Sequence, residues 1–285
     1  MRILSIILTL LPFFAHAQGD YERIRSGWDK MKKLGYLGQG VKVAILDCGA
    51  ISQGSPGDET WINFDYGYNF IDDNEDVSTT CDHGNFVLTA VKSSEGIAPN
   101  ATVYILKTLD DAGNPDPAAI LLALQYCIDS SIDVINVSFS IELDSLQDKI
   151  NEVLNAGIVI VAAAGSSTIE TTMTKPAAFP GVIAVNNVSA VDSARNKAVL
   201  APAEPEGAHG VTIAASGVSC YVIGNSNVRV LSNGTSFSSP WLAGAFAAYK
   251  SRYPTMTNAA VMQLILDRAY KLEDTTLFNH GRPLF

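Results

Sequence analysis

Ser236 lies in Asn233-Gly234-Thr235-Ser236-Phe237-Ser238-Ser239-Pro240, just ahead of an apolar run at 241–248. A serine where a glycine turn meets a small-residue helix is held beside unpaired N–H groups and the partial positive charge of a helix N-terminus. That setting suits a nucleophile. A serine hydroxyl attacks only when a base takes its proton and donors hold the oxyanion that results. His83, in Cys81-Asp82-His83-Gly84-Asn85-Phe86-Val87, sits where a loop enters a small-residue helix. The chain has four histidines. His16 falls in a leader-like segment, His209 in a Pro/Gly-rich loop and His280 in the tail, so His83 is the best placed base. Asp47 closes an apolar run at 41–46 and precedes Cys48-Gly49, a position from which a carboxylate can orient a histidine. Singly, an Asp before a turn or a His in a loop is more often structural. The three settings together imply nucleophilic chemistry.

The elements that must position these groups are legible as a pattern. The run at 41–46 is followed by similar short apolar runs at 102–107, 133–137, 158–163 and 182–185. Helix-like stretches lie at 86–92, 117–127 and 143–155. Continuous apolar strands alternating with helices indicate a parallel sheet covered on both faces. The expected fold is α/β: three layers, a doubly wound, mostly parallel sheet with helices on both faces. Residues 20–36 carry Tyr21, Ile24, Trp28, Met31 and Leu34 at helical spacing. Two helices, 236–252 and 258–270, end the pattern, with Thr257 as a cap and Pro254 stopping the first. Residues 201–210 read as a surface loop. Sites in such sheets form at strand carboxyl ends, where Asp47 falls.

At 285 residues and 47% hydrophobic content the chain can bury one large core. Charged residues make up 17%, too few for a disordered chain. A net charge of −10 argues against nucleic acid or an anionic membrane as partner. Arg2, the apolar stretch 3–14 and Ala15-His16-Ala17 fit a signal peptide with an A-x-A cleavage site. The apolar stretch is shorter than the roughly 20 residues of a membrane span. Residues 1–17 are therefore expected to be a signal peptide and 18–285 one domain, secreted or periplasmic. Cys48, Cys81, Cys127 and Cys220 are too few for a disulfide scaffold and not spaced for zinc. By themselves they read as buried apolar cysteines.

The order Asp, His, Ser is that of subtilisin. From about residue 28 to 270 the chain resembles the subtilisin-like serine proteases. The markers are Val43-Ala44-Ile45-Leu46-Asp47, His83-Gly84, Gly96-Ile97-Ala98-Pro99, Asp133-Val134-Ile135-Asn136-Val137-Ser138, Ala162-Ala163-Ala164-Gly165, and Gly234-Thr235-Ser236 followed by Pro240. The resemblance implies a serine endopeptidase acting through an acyl-enzyme on Ser236. His83 is then base and later acid, and Asp47 holds its tautomer. Ser138-Phe139-Ser140 matches the edge strand that pairs with extended substrate. Ala163-Ala164-Gly165 matches a wall of the pocket for the residue before the cleaved bond, and Thr174 aligns near its base. Lys175-Pro176 matches a cis-proline position. A peptide or protein substrate and a monomer are expected, with no cofactor and no metal. The stretch from His83 to Gly96 is short, as if the family's calcium loop were deleted.

Five departures accompany the match. Gly165 is followed by Ser166 where the family has the oxyanion asparagine, which leaves Ser166 and Thr235 as side-chain donors and predicts slow turnover. Asn85-Phe86 replaces the usual Thr-His or Thr-Ala. Ser140 replaces a common glycine and crowds the substrate backbone. The calcium loop is missing, and residues 18–27 are too short for the propeptide of secreted relatives. The resemblance also brings Cys48 and Cys81 near the groove, as a disulfide or as two small side chains. The run Asp72-Asp73-Asn74-Glu75-Asp76 reads as a solvated turn rather than a calcium site. Asp110, Asp111 and Asp116 likewise read as a solvated loop rather than a site for basic residues. The alternative function is a weak or inactive scaffold that binds peptides. A third reading is an esterase or ligase.

Overall fold

Alternate residues of one strand feed two separate cores. In β1 (Lys42–Asp47), Val43 and Ile45 enter one core and Ala44 and Leu46 the other, all fully buried. β3 (Thr102–Lys107) divides in the same way, with Val103 and Ile105 against Tyr104 and Leu106. A strand covered on both faces has no polar side to show, which is why these segments are continuous apolar runs. The structure is a computed structural model and describes residues 28–165, 173–192, 197–200, 211–217 and 220–269. The expected signal segment, residues 20–27 of the first helix, Ser166, the loop 201–210, residue 270 and the tail lie outside them.

The remaining strands of the sheet are β2 (Tyr66–Asn69), β4 (Val134–Val137), β5 (Val159–Ala163), β6 (Ile183–Asp192), β7 (Lys197–Leu200) and β8 (Ile213–Ser216). Their order is β2-β3-β1-β4-β5-β6-β7, with β8 also paired to β6. Every pairing is parallel except β6 with β7. Helices α1 (Trp28–Lys33), α2 (His83–Val91), α5 (Thr235–Arg252) and α6 (Asn258–Asp267) line the first core, and α3 (Pro117–Asp129) and α4 (Leu146–Asn155) the second. This is the three-layer, doubly wound arrangement that the alternating pattern implies. A separate hairpin, β9 (Cys220–Ile223) with β10 (Arg229–Ser232), packs on α2.

Local chemistry sets the helix ends. The Asp116 carboxylate accepts the Ala119 N–H at 2.8 Å and Pro117 opens α3. Thr257 caps α6 through the Ala260 N–H at 3.2 Å. α2 starts at His83, three residues before the apolar pattern does, because the Asp82 carbonyl already accepts the Phe86 N–H at 3.0 Å.

β1 sits between β3 and β4. The chain leaves β1 for β2 and β3 on one side and then returns to β4 on the other. Strand order therefore reverses at β1, and a crevice opens beyond its carboxyl end. Asp47 is the last residue of β1, Ser138 follows β4 and Ala164 follows β5. Three neighbouring strands thus deliver their ends to one place.

Candidate active site

The Asp47 side chain is fully buried. Its Oδ1 accepts the Cys48 N–H at 2.8 Å, and His83 Nδ1 lies 2.9 and 3.0 Å from its two oxygens. A carboxylate only accepts, so Nδ1 carries the proton and Nε2 is the basic atom. The Asp47 charge raises the His83 pKa above the ordinary histidine value, and burial opposes that rise. Cys48 and Cys81 form a disulfide with Cα atoms 6.2 Å apart, which decides between the two readings of this pair. Cys127 is buried in the second core, where the apolar surroundings push its thiol pKa up.

Ser236 is the second residue of α5. Gly234 turns the chain into this helix at φ 150°, donating its N–H to the Gly217 carbonyl at 2.9 Å and accepting the Phe237 N–H at 3.0 Å. Only glycine takes that backbone angle without strain. The Ser236 hydroxyl donates to the Ser138 carbonyl at 2.9 Å, and the Ser138 hydroxyl donates to the Ser236 carbonyl at 2.9 Å. The second bond has a covalent cause. Residue 240 would ordinarily donate its N–H to that carbonyl, but Pro240 has none. With its proton spent there, Ser138 Oγ accepts from the Asn136 amide at 2.9 Å and from the Ser239 hydroxyl at 3.0 Å. The motifs that contain Asn136 and Ser239 do not by themselves reveal these contacts with Ser138. The missing N–H at Pro240 was the available signal.

Thr235 is buried and its hydroxyl donates to the Gly165 carbonyl at 3.1 Å, so its proton is committed to the turn after β5. Ala163 and Ala164 are buried at the end of β5. The Thr174 N–H reaches the Ala164 carbonyl at 3.4 Å, and the Ile141 N–H reaches the Lys175 carbonyl at 2.9 Å. The segment around Thr174 therefore bridges the expected pocket wall and the chain that follows the expected edge strand. The Ser140 and Thr174 hydroxyls are hydrogen-bonded at 2.7 Å across it. Phe139 packs against the second core. The Lys175-Pro176 peptide is cis, and Lys175 pairs with Glu142 at 3.0 Å and Asp144 at 2.7 Å.

The acidic loops are occupied by their own neighbours. Asp111 pairs with Lys107 at 2.6 Å, which holds its carboxyl down to about 2. Asp110 accepts from Asn114 and Ala112, and Asp116 caps α3. In the other run, Asp73 accepts from the Tyr68 hydroxyl and Asp72 from the Asn69 amide. Among the described residues no group of His, Cys, Asp or Glu is arranged to hold a metal ion. No helix among them is long and apolar enough to cross a membrane.

A sequence model of the subtilase family matches residues 38–281. This chain belongs to the subtilase family. It is a serine-type endopeptidase, acting on peptide or protein substrates. The subtilase is 32% identical to subtilisin DY of Bacillus licheniformis over 264 residues, covering 89% of this chain and 92% of that one. It is also 32% identical to subtilisin E of Bacillus subtilis (strain 168), covering 87% of this chain and 65% of that one. A solved structure, that of a cold adapted subtilisin-like serine proteinase, superposes with a TM-score of 0.72 at 21% identity, covering 87% of this chain and 88% of that one. At that identity the superposition speaks for the fold.

The Ser138–Ser236 exchange ties α5 of the subtilase to the end of β4 in a way that substitution can measure. Ser138→Ala leaves the Ser236 carbonyl unpaired and should cost about 1–3 kcal/mol. Adding Pro240→Ala returns an N–H to that carbonyl, so the double variant should lose at least about 0.5 kcal/mol less than the sum of the singles. Urea unfolding of the four proteins measures this, and strict additivity would remove the explanation.

Proposed function

We propose that peptide bonds are cleaved through an acyl-enzyme on Ser236, with His83 as general base and then general acid and Asp47 as its orienting carboxylate. The observation that carries this reading is the buried Asp47 carboxylate bonded to Nδ1 of His83, which leaves Nε2 as the basic atom, with the ring of Phe237, the residue after Ser236, 6.3 Å from the imidazole. Ser236 Oγ rests on the Ser138 carbonyl. For attack it exchanges that acceptor for His83. Its proton passes to Nε2 as the Oγ–carbon bond forms, and the same proton then goes to the leaving amine. Water, deprotonated by His83, releases the acyl group. The N–H of Ser236, in the first turn of α5, faces no helical acceptor and is available to the oxyanion.

Two departures from the family pattern shape the rate and the preference. Ser166 stands at the oxyanion asparagine's place with a shorter side chain, and the Thr235 hydroxyl is held on Gly165. Turnover is accordingly slow. The Ser140–Thr174 bond spans the pocket that would take the side chain before the cleaved bond, so small residues are preferred there. The leader-like residues 1–17 support export to the periplasm or beyond, with 18–285 as a single monomeric peptidase domain. The scheme uses protein groups throughout.

A fluorophosphonate probe should label the purified, folded protein and not Ser236→Ala; an unlabelled wild type would sink the scheme. Since His83 must be neutral to act as base and Asp47 raises its pKa, kcat/KM should fall on the acid side with a midpoint above about 6.5. A midpoint below that value would remove His83 from the role. Ser166→Asn should raise kcat by up to about 10²-fold, given the 10²–10³ that this donor is worth in subtilisin; an unchanged kcat would mean that the oxyanion is held by other groups. Ser140→Gly should raise kcat/KM for an aromatic residue before the cleaved bond, relative to alanine, by about tenfold. An unaltered ratio would show that the hydroxyl pair does not limit the pocket.

A further inference from the structure

His83 occupies an insecure position. It is the first residue of α2, and the preceding Asp82 makes no side-chain cap bond to the helix. First turns without caps fray, because their N–H groups have no partners within the helix. The His83 side chain is also one-third exposed, at 33%. Its partner Asp47 belongs to a different element, 36 residues earlier. Nothing within α2 holds the imidazole against that carboxylate.

Three contacts between the loop after Asp47 and the start of α2 do so. The Cys48–Cys81 disulfide joins the residue after Asp47 to the residue two before His83. Asn85 is fully buried, and its amide brackets Ile51: Oδ1 accepts the Ile51 N–H at 2.7 Å and Nδ2 donates to the Ile51 carbonyl at 3.3 Å. Gly84 lies directly on Gly49, where a Cβ would come within 1.8 Å of the Gly49 carbonyl oxygen. On the outer side the hairpin turn adds two more ties. The Asn225 N–H donates to Asp82 at 2.6 Å, and its side-chain amide donates to the Cys81 carbonyl at 3.2 Å.

We propose that the Cys48–Cys81 disulfide and the Asn85 amide are positioning groups for His83, fixing the Asp47–His83 contact from outside the substrate crevice. The inference rests on the catalytic reading above for its effect on rate. Its effect on His83 itself is independent of Ser236. Asp47 is the charge that raises the His83 pKa. From the other elements, α5 brings Phe237, with its ring 6.3 Å from that of His83, and the loop after β1 brings Cys48, Gly49, Ala50 and Ile51, all uncharged. The adjacent Asp82 is held by Asn225. Loosening the ties therefore moves His83 away from the one charge that sustains its basicity, and its pKa should fall toward the ordinary value of about 6.5.

The test uses the full chain with Cys48→Ser and Cys81→Ser together, and separately with Asn85→Ala. The His83 pKa is read by NMR titration in a Ser236→Ala background, and kcat and KM are read in the active one. Expected are a lower His83 pKa, an acid limb shifted to lower pH, kcat reduced about tenfold and KM within about twofold of wild type. Groups that only stabilise the fold would lower the unfolding midpoint and leave the His83 pKa and kcat unchanged in the folded variant; that result would overturn the inference. If the double variant fails to fold, Asn85→Ala and the folded wild type reduced with a phosphine, its thiols confirmed by intact mass, give the same readouts. A shifted His83 pKa in a protein that the fluorophosphonate never labels would reject the catalytic scheme and keep the ties. A labelled wild type with an unmoved pKa in the variants would reject the ties alone.

Discussion

A carboxylate with no exposed surface is tolerated only when fixed partners compensate it. Asp47 meets that constraint with the N–H of its successor and a histidine from another element. Much of the surrounding structure follows. β1 must end in a crevice rather than under a helix, which the reversal of strand order provides. α2 must begin at the histidine, and the loop after β1 must run close enough for glycine to face glycine. A buried charge here acts less as a source of stability than as a reason for two segments to meet in one geometry.

The serine side is organised by hydrogen bonds between elements that the sheet makes neighbours. β4 pairs with β1, so the residue following β4 arrives beside Asp47's crevice. That residue, Ser138, exchanges two bonds with Ser236 and is itself held by Asn136 and Ser239. The helix bearing Ser236 is thereby attached to the sheet through its first turn. The strand expected to receive substrate continues from the same residue.

Much of this could be read from the chain alone, for specific reasons. Strands buried on both faces leave continuous apolar runs, so β1, β3, β4 and β5 were visible within a residue or two of their ends. β2 was not, because Tyr66-Gly67-Tyr68-Asn69 is a half-exposed edge strand with no apolar run. α2 was expected to begin at Phe86, since the small and polar residues His83, Gly84 and Asn85 carry no amphipathic signal. The positions of Asp47, His83 and Ser236 could be read because each sits at a strand-to-loop or loop-to-helix join. The Asn85 bracket, the Ser140–Thr174 pair and the commitment of Thr235 to Gly165 could not. Each depends on which hydroxyl or amide faces which across segments far apart in sequence. The disulfide was open for the same reason: two cysteines beside the right residues have no stated distance until the loop and helix are docked.

Pro240 has a consequence for assembly. A helix lacking one N–H near its start cannot complete its own hydrogen bonds, and here the vacancy falls on the carbonyl of Ser236. The group that fills it lies 98 residues earlier in the chain, at the end of a central strand. α5 formed in isolation therefore carries, at Ser236, a backbone that is unfinished. It is finished only when the sheet is assembled and docked. The geometry around Ser236 is in this sense a property of sheet and helix together, set by the missing hydrogen of one proline.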